Sequence, residues 1–408
     1  KMKQYGYFDD KTREYVITTP KTPVKWINYL GSLAFGGFVD QTGGILLCRL
    51  DPALNRITKY LTQDPPSEFR ATTIYLRTSD GKGGYPVFSP FYVPTLTSYD
   101  QYTCHVGLGY SCFVSEMRGM RTETRIFIPP GENVLVQQVT VTNLMENAQE
   151  VDLIPVVEYT HPDALKQLNN ADWVPQTMQS YLHEEAGGLK VISQAPFMRK
   201  DHCRNFFTAS LPVASFETDR QAFLGENGYG SWVSPGSLEQ AELGNGLALR
   251  GDNIAALMLH LGAISPGESR SAILLLGQAE KIEEAMPMIQ RFRNQTAVEE
   301  AFETLRAEWL DVLAAIQVET PDADMNRMLN IHNPRQCLIT MNWSRYLSLY
   351  QLGFGARGMG FRDSSQDVMG ALPGSPGASK ELLVKLLQVQ NRDGSAMHQF
   401  NPLTMIAN

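Results

Sequence analysis

At Lys281 the spacing of apolar residues changes from every second position to about every 3.6 positions. One layer of secondary structure cannot serve both periods. The chain must therefore build a β-rich body first and add helices to it afterwards. Up to about Ala279 it reads as short β-rich segments separated by turn residues, the pattern of an antiparallel sandwich. The clearest hairpin runs from Thr124 to Val141, with Pro129-Pro130-Gly131-Glu132-Asn133 as its turn. From Val139 onward its return arm alternates apolar and polar, so one face there is expected to be wet. A second hairpin is expected where Ala255–Leu261 and Ser271–Leu276 flank Ser265-Pro266-Gly267-Glu268. Residues 160–182 are polar, amide-rich and poorly periodic, which predicts a long loop rather than a strand.

Beyond Lys281, Phe302, Leu305, Trp309, Val312, Leu313 and Ile316 fall on one helical stripe. Thr320-Pro321-Asp322 interrupts it and offers a helix start, after which Met325, Met328 and Leu329 open a new helical region. Another helix is expected after Ser379, with Leu382, Leu383, Leu386, Leu387 and Val389 apolar and Asp393-Gly394 closing it. Its apolar residues lie on more than one side, which predicts burial between other helices. The expected organisation is a β-sandwich domain over 1–280, a helical linker over 281–319 and a helical domain over 320–408.

A formal net charge of −8 supplies no cationic stripe to displace phosphate counterions, so nucleic acid is not an expected partner. No run of 18 apolar residues occurs, and the N-terminal stretch is polar and aromatic, so neither membrane insertion nor secretion is signalled and a cytoplasmic location is expected. The five cysteines are far apart, with no CxxC pair to bracket a metal, which fits reduced thiols. Without a secretory signal, the triplets at Asn294 and Asn342 are not expected to carry sugar.

The most polar stretch inside the helical region is Gly353–Gly370. Gly353, Gly355 and Gly358 satisfy the spacing GxGxxG, but a dinucleotide fingerprint follows a buried strand, and Trp343–Leu352 reads as helix. Two readings suit the residues better. Arg357, Arg362, Asp363 and Asp367 could fix sugar hydroxyls, with glycines letting backbone approach the ligand, or they could form an ion-pair network closing a buried turn.

The segment Ala356–Asp367, with Arg357, Arg362 and Asp363 inside it, resembles the glucose-binding signature of inverting β-glucoside phosphorylases, the cellobiose and chitobiose phosphorylase family. Tyr5–Asp10 with Arg13–Thr18 is similar to that family's N-terminus, and Gly394–Thr404 to a later segment. The resemblance spans the chain and implies a β-sandwich, a helical linker and the start of an (α/α)6 barrel. It implies that Arg357, Arg362 and Asp363 hold the non-reducing glucose, that Arg345 holds phosphate, and that His398 and Gln399 lie close by. It further implies a homodimer in which a sandwich loop around Gln176 reaches the neighbouring subunit's site.

The chemistry so implied is attack of inorganic phosphate on a β-glucosidic di- or oligosaccharide with inversion, giving α-glucose 1-phosphate, with no metal or organic cofactor. Phosphate is already anionic, so arginines that position it replace the general base of an inverting hydrolase. One carboxylic acid must still protonate the leaving oxygen. In the family it is an Asp within an Asp-Trp-Asn-Asp motif, absent here. Residues 318–408 have room for only about four barrel helices. The acid is therefore expected beyond Asn408. Two other classes stay open: a carbohydrate-binding protein without turnover, and an inverting glucosidase with Asp363 as one of two carboxylates roughly 6.5–9.5 Å apart.

Overall fold

The computed structural model describes residues 4–32, 34–62, 64–79, 84–185, 187–198, 203–344 and 358–406. Its first half forms β1 (Gly6–Asp9), β2 (Glu14–Ile17), β3 (Ile27–Gly31), β4 (Gly36–Asp40), β5 (Ile45–Cys48), β6 (Thr72–Thr78), β7 (Val87–Phe88), β8 (Gln101–Val106) and β9 (Tyr110–Met117). There follow β10 (Met120–Phe127), β11 (Val134–Asn143), β12 (Gln149–Glu158), β13 (Met178–Glu185), β14 (Leu189–Pro196), β15 (Arg204–Ala209), β16 (Ser215–Asp219), β17 (Asn253–Ile264) and β18 (Ser269–Ala279). Short helices α1 (Ala164–Asn169) and α2 (Arg220–Leu224) interrupt them. The helical part comprises α3 (Ile282–Phe292), α4 (Gln295–Ala314), α5 (Ala323–Arg327), α6 (Asn333–Trp343), α7 (Phe361–Ala371) and α8 (Pro376–Leu387). A strand pair, β19 (Met359–Gly360) and β20 (Gln399–Phe400), sits among these helices.

A ten-stranded sheet, ordered β1-β2-β8-β9-β10-β11-β18-β15-β14-β13, faces a five-stranded one, β16-β17-β12-β6-β7. Between them lies the main core, in which Val139, Val141, Leu274 and Leu276 meet Leu76, Leu153, Leu257 and Leu259. The expected hairpin is present, with Met120 opposite Asn143 and Phe127 opposite Val136. Val134–Gln137 are buried without alternation, because α3 and α4 cover the outer face of the sheet at that end. Phe302 of α4 meets Tyr110 and Phe127 edge-on at 4.9 and 5.2 Å, while Ile316 lies beyond the contact and is exposed.

Three expectations need correction. The segments 255–261 and 271–276 are not a hairpin: β17 pairs with β12 and β16, whereas β18 pairs with β11 and β15, so the turn between them carries the chain from one sheet to the other. Both are continuous apolar runs because both are central strands, covered on two faces. Residues 160–182 are not one loop. Asp163 caps α1 by accepting from Lys166 N at 2.9 Å, a 3-10 turn follows over Val174–Thr177, and β13 starts at Met178 and pairs with β14. Being an edge strand, β13 has one neighbour and keeps a half-solvated, polar character that hides its periodicity. Finally, α8 starts at Pro376, and Leu386 is buried while Leu383, Val384 and Leu387 are exposed: only one side of the helix meets described residues.

An ion pair of buried Arg77 with half-buried Asp152 ties the second sheet to the 238–241 segment. Arg77 faces Asp152 across β6 and β12 with Nε at 2.8 Å from Oδ2, and also donates to the carbonyls of Leu238, Gln240 and Ala241. Asp152 continues to His260, whose Nδ1 is 2.6 Å away and whose Nε2 is 3.1 Å from Glu242. The hydrogen bond with Asp152, outweighing partial burial, raises the pKa of His260 above its ordinary value. A group raised in the folded state stabilises fully below its unfolded pKa, about 6.5, and the contribution fades as pH rises through the higher folded value. Urea titrations from pH 5.5 to 8.5 should show this loss in the wild type and a flatter profile in His260→Gln.

No described helix is long and apolar enough to cross a membrane. All five cysteines are unpaired, and the described residues hold no group of three metal-ligating side chains.

Candidate functional site

Whereas α3 and α4 rest on the ten-stranded sheet, α6 is seated on the sandwich through the small sheet β3-β4-β5. Trp343, last in α6, is buried against Phe38, Leu46 and Tyr60, and its ring stacks on Tyr29 at 5.5 Å and 25°. Gly36 makes that approach feasible, since a Cβ there would come within 2.7 Å of the indole. Farther back on α6, Arg335 donates to Asn28 Oδ1, while the amide of Asn28 donates to the carbonyls of Gly107 and Tyr110 at 3.2 and 2.7 Å. Burial without a carboxylate partner lowers the Arg335 pKa to about 10. The orientation of α6 is thus set by aromatic packing at one end and a buried guanidinium at the other.

Ser344, directly after Trp343, faces the other way, and its Oγ lies 3.5 Å from Asp367 Oδ2 on α7. One turn earlier on α7 stands Asp363, and the i, i+4 spacing sets the two carboxylates on the same side of the helix. Ser364, Val368 and Ala371 form its buried side. Asp363 occupies the first turn, where the helix dipole favours a negative charge. Its carboxylate lies over Gly360, Oδ2 being 3.3 Å from where a Cβ would stand. Arg362 extends into solvent, with a side chain 86% exposed and Nη2 3.4 Å from Asp363 Oδ1. The exposed cation and the partly exposed carboxylate form an open polar edge at the start of α7.

Two distant segments meet at this edge. Met359 pairs with Phe400 and Gly360 with Gln399, while Phe361 N donates to the carbonyl of His398 at 3.2 Å. Gly358 N donates to Gln399 Oε1 at 3.3 Å across 41 positions of sequence. The structure therefore brings His398 and Gln399 to Arg362 and Asp363. Gln399 is half-buried and holds the backbone, whereas the His398 side chain is exposed and its carbonyl makes the contact. Arg345 and Arg357 lie outside the described residues. Gln176 stands in the 3-10 turn before β13, and no hydrogen bond or ion pair among the described residues joins it to the α7–β20 edge.

Sequence reasoning missed the contributions of Gly358 and Ser364. Ser364 Oγ is buried and has no hydrogen-bond partner among the described residues. No local signal distinguishes it from a helix-surface serine. A Cβ on Gly358 would fall 2.6 Å from both N and O of Phe400. Gly358→Ala should therefore part β19 from β20 and release the 395–401 segment, seen as faster amide exchange at Phe361 and Phe400 with the sandwich amides unchanged.

The family model "Glycosyl hydrolase 94, supersandwich domain" matches residues 13–295, and "Glycosyl hydrolase 94 superfamily, catalytic domain" matches residues 308–408. An N,N'-diacetylchitobiose phosphorylase of Vibrio proteolyticus is 27% identical over 98% of this chain and 48% of its own length. A solabiose phosphorylase of Paenibacillus borealis is 27% identical over 98% of this chain and 50% of its own. The chain thus spans about half the length of the curated relatives it matches. A solved structure assigned as a kojibiose phosphorylase from the human microbiome shares the fold, with a TM-score of 0.52 at 8% identity over 93% of this chain and 51% of that one.

Proposed function

Because the chain belongs to glycosyl hydrolase family 94, we propose that it carries the glycone- and phosphate-binding half of an inverting glycoside phosphorylase acting on a β-linked glucose disaccharide or oligosaccharide. The observation that carries this reading is the β19–β20 pairing, which gathers Arg362, Asp363, His398 and Gln399 around the N-terminus of one helix.

In this reading Asp363 accepts hydrogen bonds from hydroxyls of the non-reducing sugar, and Arg362 and Arg357 donate to the same ring. A fixed carboxylate and two guanidinium groups supply the directional contacts a pyranose needs. Arg345, one residue beyond Ser344, holds phosphate beside the anomeric carbon. A phosphate oxygen then forms the new bond to that carbon as the glycosidic C–O bond breaks. The bonding pair leaves with the aglycone oxygen, which takes a proton from a general acid that none of these 408 residues is assigned to supply. Positioning the anion lowers the entropy cost of the encounter, and the guanidinium groups offset repulsion between phosphate and the site's carboxylates. A homodimer, with the Gln176 region reaching the partner, and a cytoplasmic setting go with this reading.

The test is phosphate-dependent release of α-glucose 1-phosphate from a panel of β-linked glucose disaccharides, with N,N'-diacetylchitobiose and solabiose added because relatives are named for them and read out as the 1-phosphate of their own non-reducing sugar. Measurement is made on this chain and on any natural longer product of its gene. Release that needs phosphate supports the proposal, and the active disaccharide names the linkage. Sugar release that ignores phosphate would mean a hydrolase instead. Binding without release from either protein would leave a carbohydrate-binding protein.

A further inference from the structure

We propose that the cleft enclosed by the β10–β11 turn, α4 and α6 is a second carbohydrate-binding site, seating one pyranose ring against Trp309 with Glu308 and Asn342 meeting its hydroxyls. The cleft has a volume of about 290 Å³, at the lower edge of what small-ligand pockets span, which suits a single sugar ring better than a long chain. Tyr29, Phe35, Trp309 and Trp343 supply aromatic walls. Pro129-Pro130-Gly131, whose two prolines restrict the turn, closes one side.

Three observations select the ligand. First, Glu308 and Asn342 line the cleft, and neither side chain has a hydrogen-bond or ion-pair partner among the described residues. Partial desolvation at the cleft rim raises the Glu308 pKa with no cation opposing the shift. An acceptor-only carboxylate beside an amide that both donates and accepts matches vicinal hydroxyls. Second, the described lining residues include no Lys, Arg or His, so none of them offers a cation to a phosphate, whereas they do offer partners to neutral hydroxyls. Third, Trp309 is only half-buried, and its indole edge rests on the β8–β9 turn, where a Cβ on Gly109 would fall 2.6 Å from Nε1. A ring held by its edge can offer a face, and the apolar C–H face of a pyranose stacks on such a surface.

Trp343 lines this cleft, whereas Ser344, directly after the end of α6, meets Asp367. Occupancy of the cleft does not require phosphorolysis.

The experiment is saturation-transfer NMR and intrinsic fluorescence titration with cellobiose, on Asp363→Ala to remove the glycone contact proposed above and on Asp363→Ala combined with Glu308→Leu, Trp309→Ala or Trp309→Phe. Circular dichroism checks each fold. The expected result is binding in Asp363→Ala that weakens at least tenfold with Trp309→Ala or Glu308→Leu and is largely kept with Trp309→Phe. Glu308 is solvent-facing on α4, so its replacement reads out even if Trp309→Ala misfolds. Unchanged binding in Glu308→Leu, no binding in Asp363→Ala, or quenching by tetramethylammonium but not by cellobiose would each overturn the proposal. Cleft binding in a protein that never releases α-glucose 1-phosphate would support this site while refuting the phosphorylase reading, so the two fail separately.

Discussion

Asp363→Ala should lower kcat/KM for phosphorolysis by about a hundredfold or more, equivalent to roughly 2.7 kcal/mol of transition-state stabilisation at 1.36 kcal/mol per decade. Hydrogen bonds to a charged acceptor are worth roughly 1.5–3 kcal/mol each, and a pyranose offers two hydroxyls to one carboxylate. Little stability should be lost with them. The side chain is 41% exposed, the cation it pairs with among the described residues is an Arg362 guanidinium that is itself solvated, and what remains is the interaction with the α7 dipole, roughly 0.3–1 kcal/mol. Asp363→Asn keeps the shape and one acceptor oxygen and should fall between the two. Steady-state kinetics with thermal unfolding of the same samples separates the cases. A hundredfold loss with the melting temperature held marks a substrate-binding residue, whereas full activity in Asp363→Ala would remove the sugar role and leave the ion-pair reading of this turn.

Trp343→Ala should cost about 3–5 kcal/mol, the range for deleting a buried aromatic side chain. Trp343 is 5% exposed and fills the junction between the β3-β4-β5 sheet and α6 against Tyr29, Phe38 and Tyr60. Because Gly36 leaves room for the indole, its removal opens a cavity that rigid backbone on the sheet side cannot collapse to fill. The Arg335–Asn28 contact would remain as a hinge, and Ser344 would lose its fixed position against Asp367. Chemical denaturation should then split into two transitions, with the helical part unfolding before the sandwich. A single unshifted transition would show that α6 is held elsewhere. Trp343→Phe, which keeps a ring on Tyr29, should recover much of the loss.

How far the site could be read from sequence differs from one residue to the next. Arg362 and Asp363 stand out because charge concentrates in an apolar surrounding, a contrast visible within a dozen positions. Their neighbours His398 and Gln399 carry no such contrast. They entered through resemblance alone, and what places them is the register Gly360 to Gln399. That register depends on Gly358 leaving space for the backbone of Phe400, a steric condition between atoms of two separate segments. The cleft beside Trp309 is illegible in the sequence for a similar reason. Its walls come from β3, the β10–β11 turn, α4 and α6, so no window of sequence contains it.

The sequence by itself determined what depends on near neighbours: the change from strand to helix at Lys281, the helix start at Asp322 whose carboxylate accepts from backbone N–H groups two and three residues on, and the Met120–Asn143 hairpin closed by its own turn. Only the tertiary structure decided which strands became partners. The turn over 265–268 reads as a hairpin, yet it sends β17 and β18 into different sheets, because each buries more apolar surface between two existing strands than against the other. The amide-rich stretch before Glu185 became strand because β14 offered an unpaired edge. Helix periodicity and capping are satisfied within a few residues of the chain, but strand pairing and cleft formation draw their free energy from contacts that exist only once distant segments have been brought together.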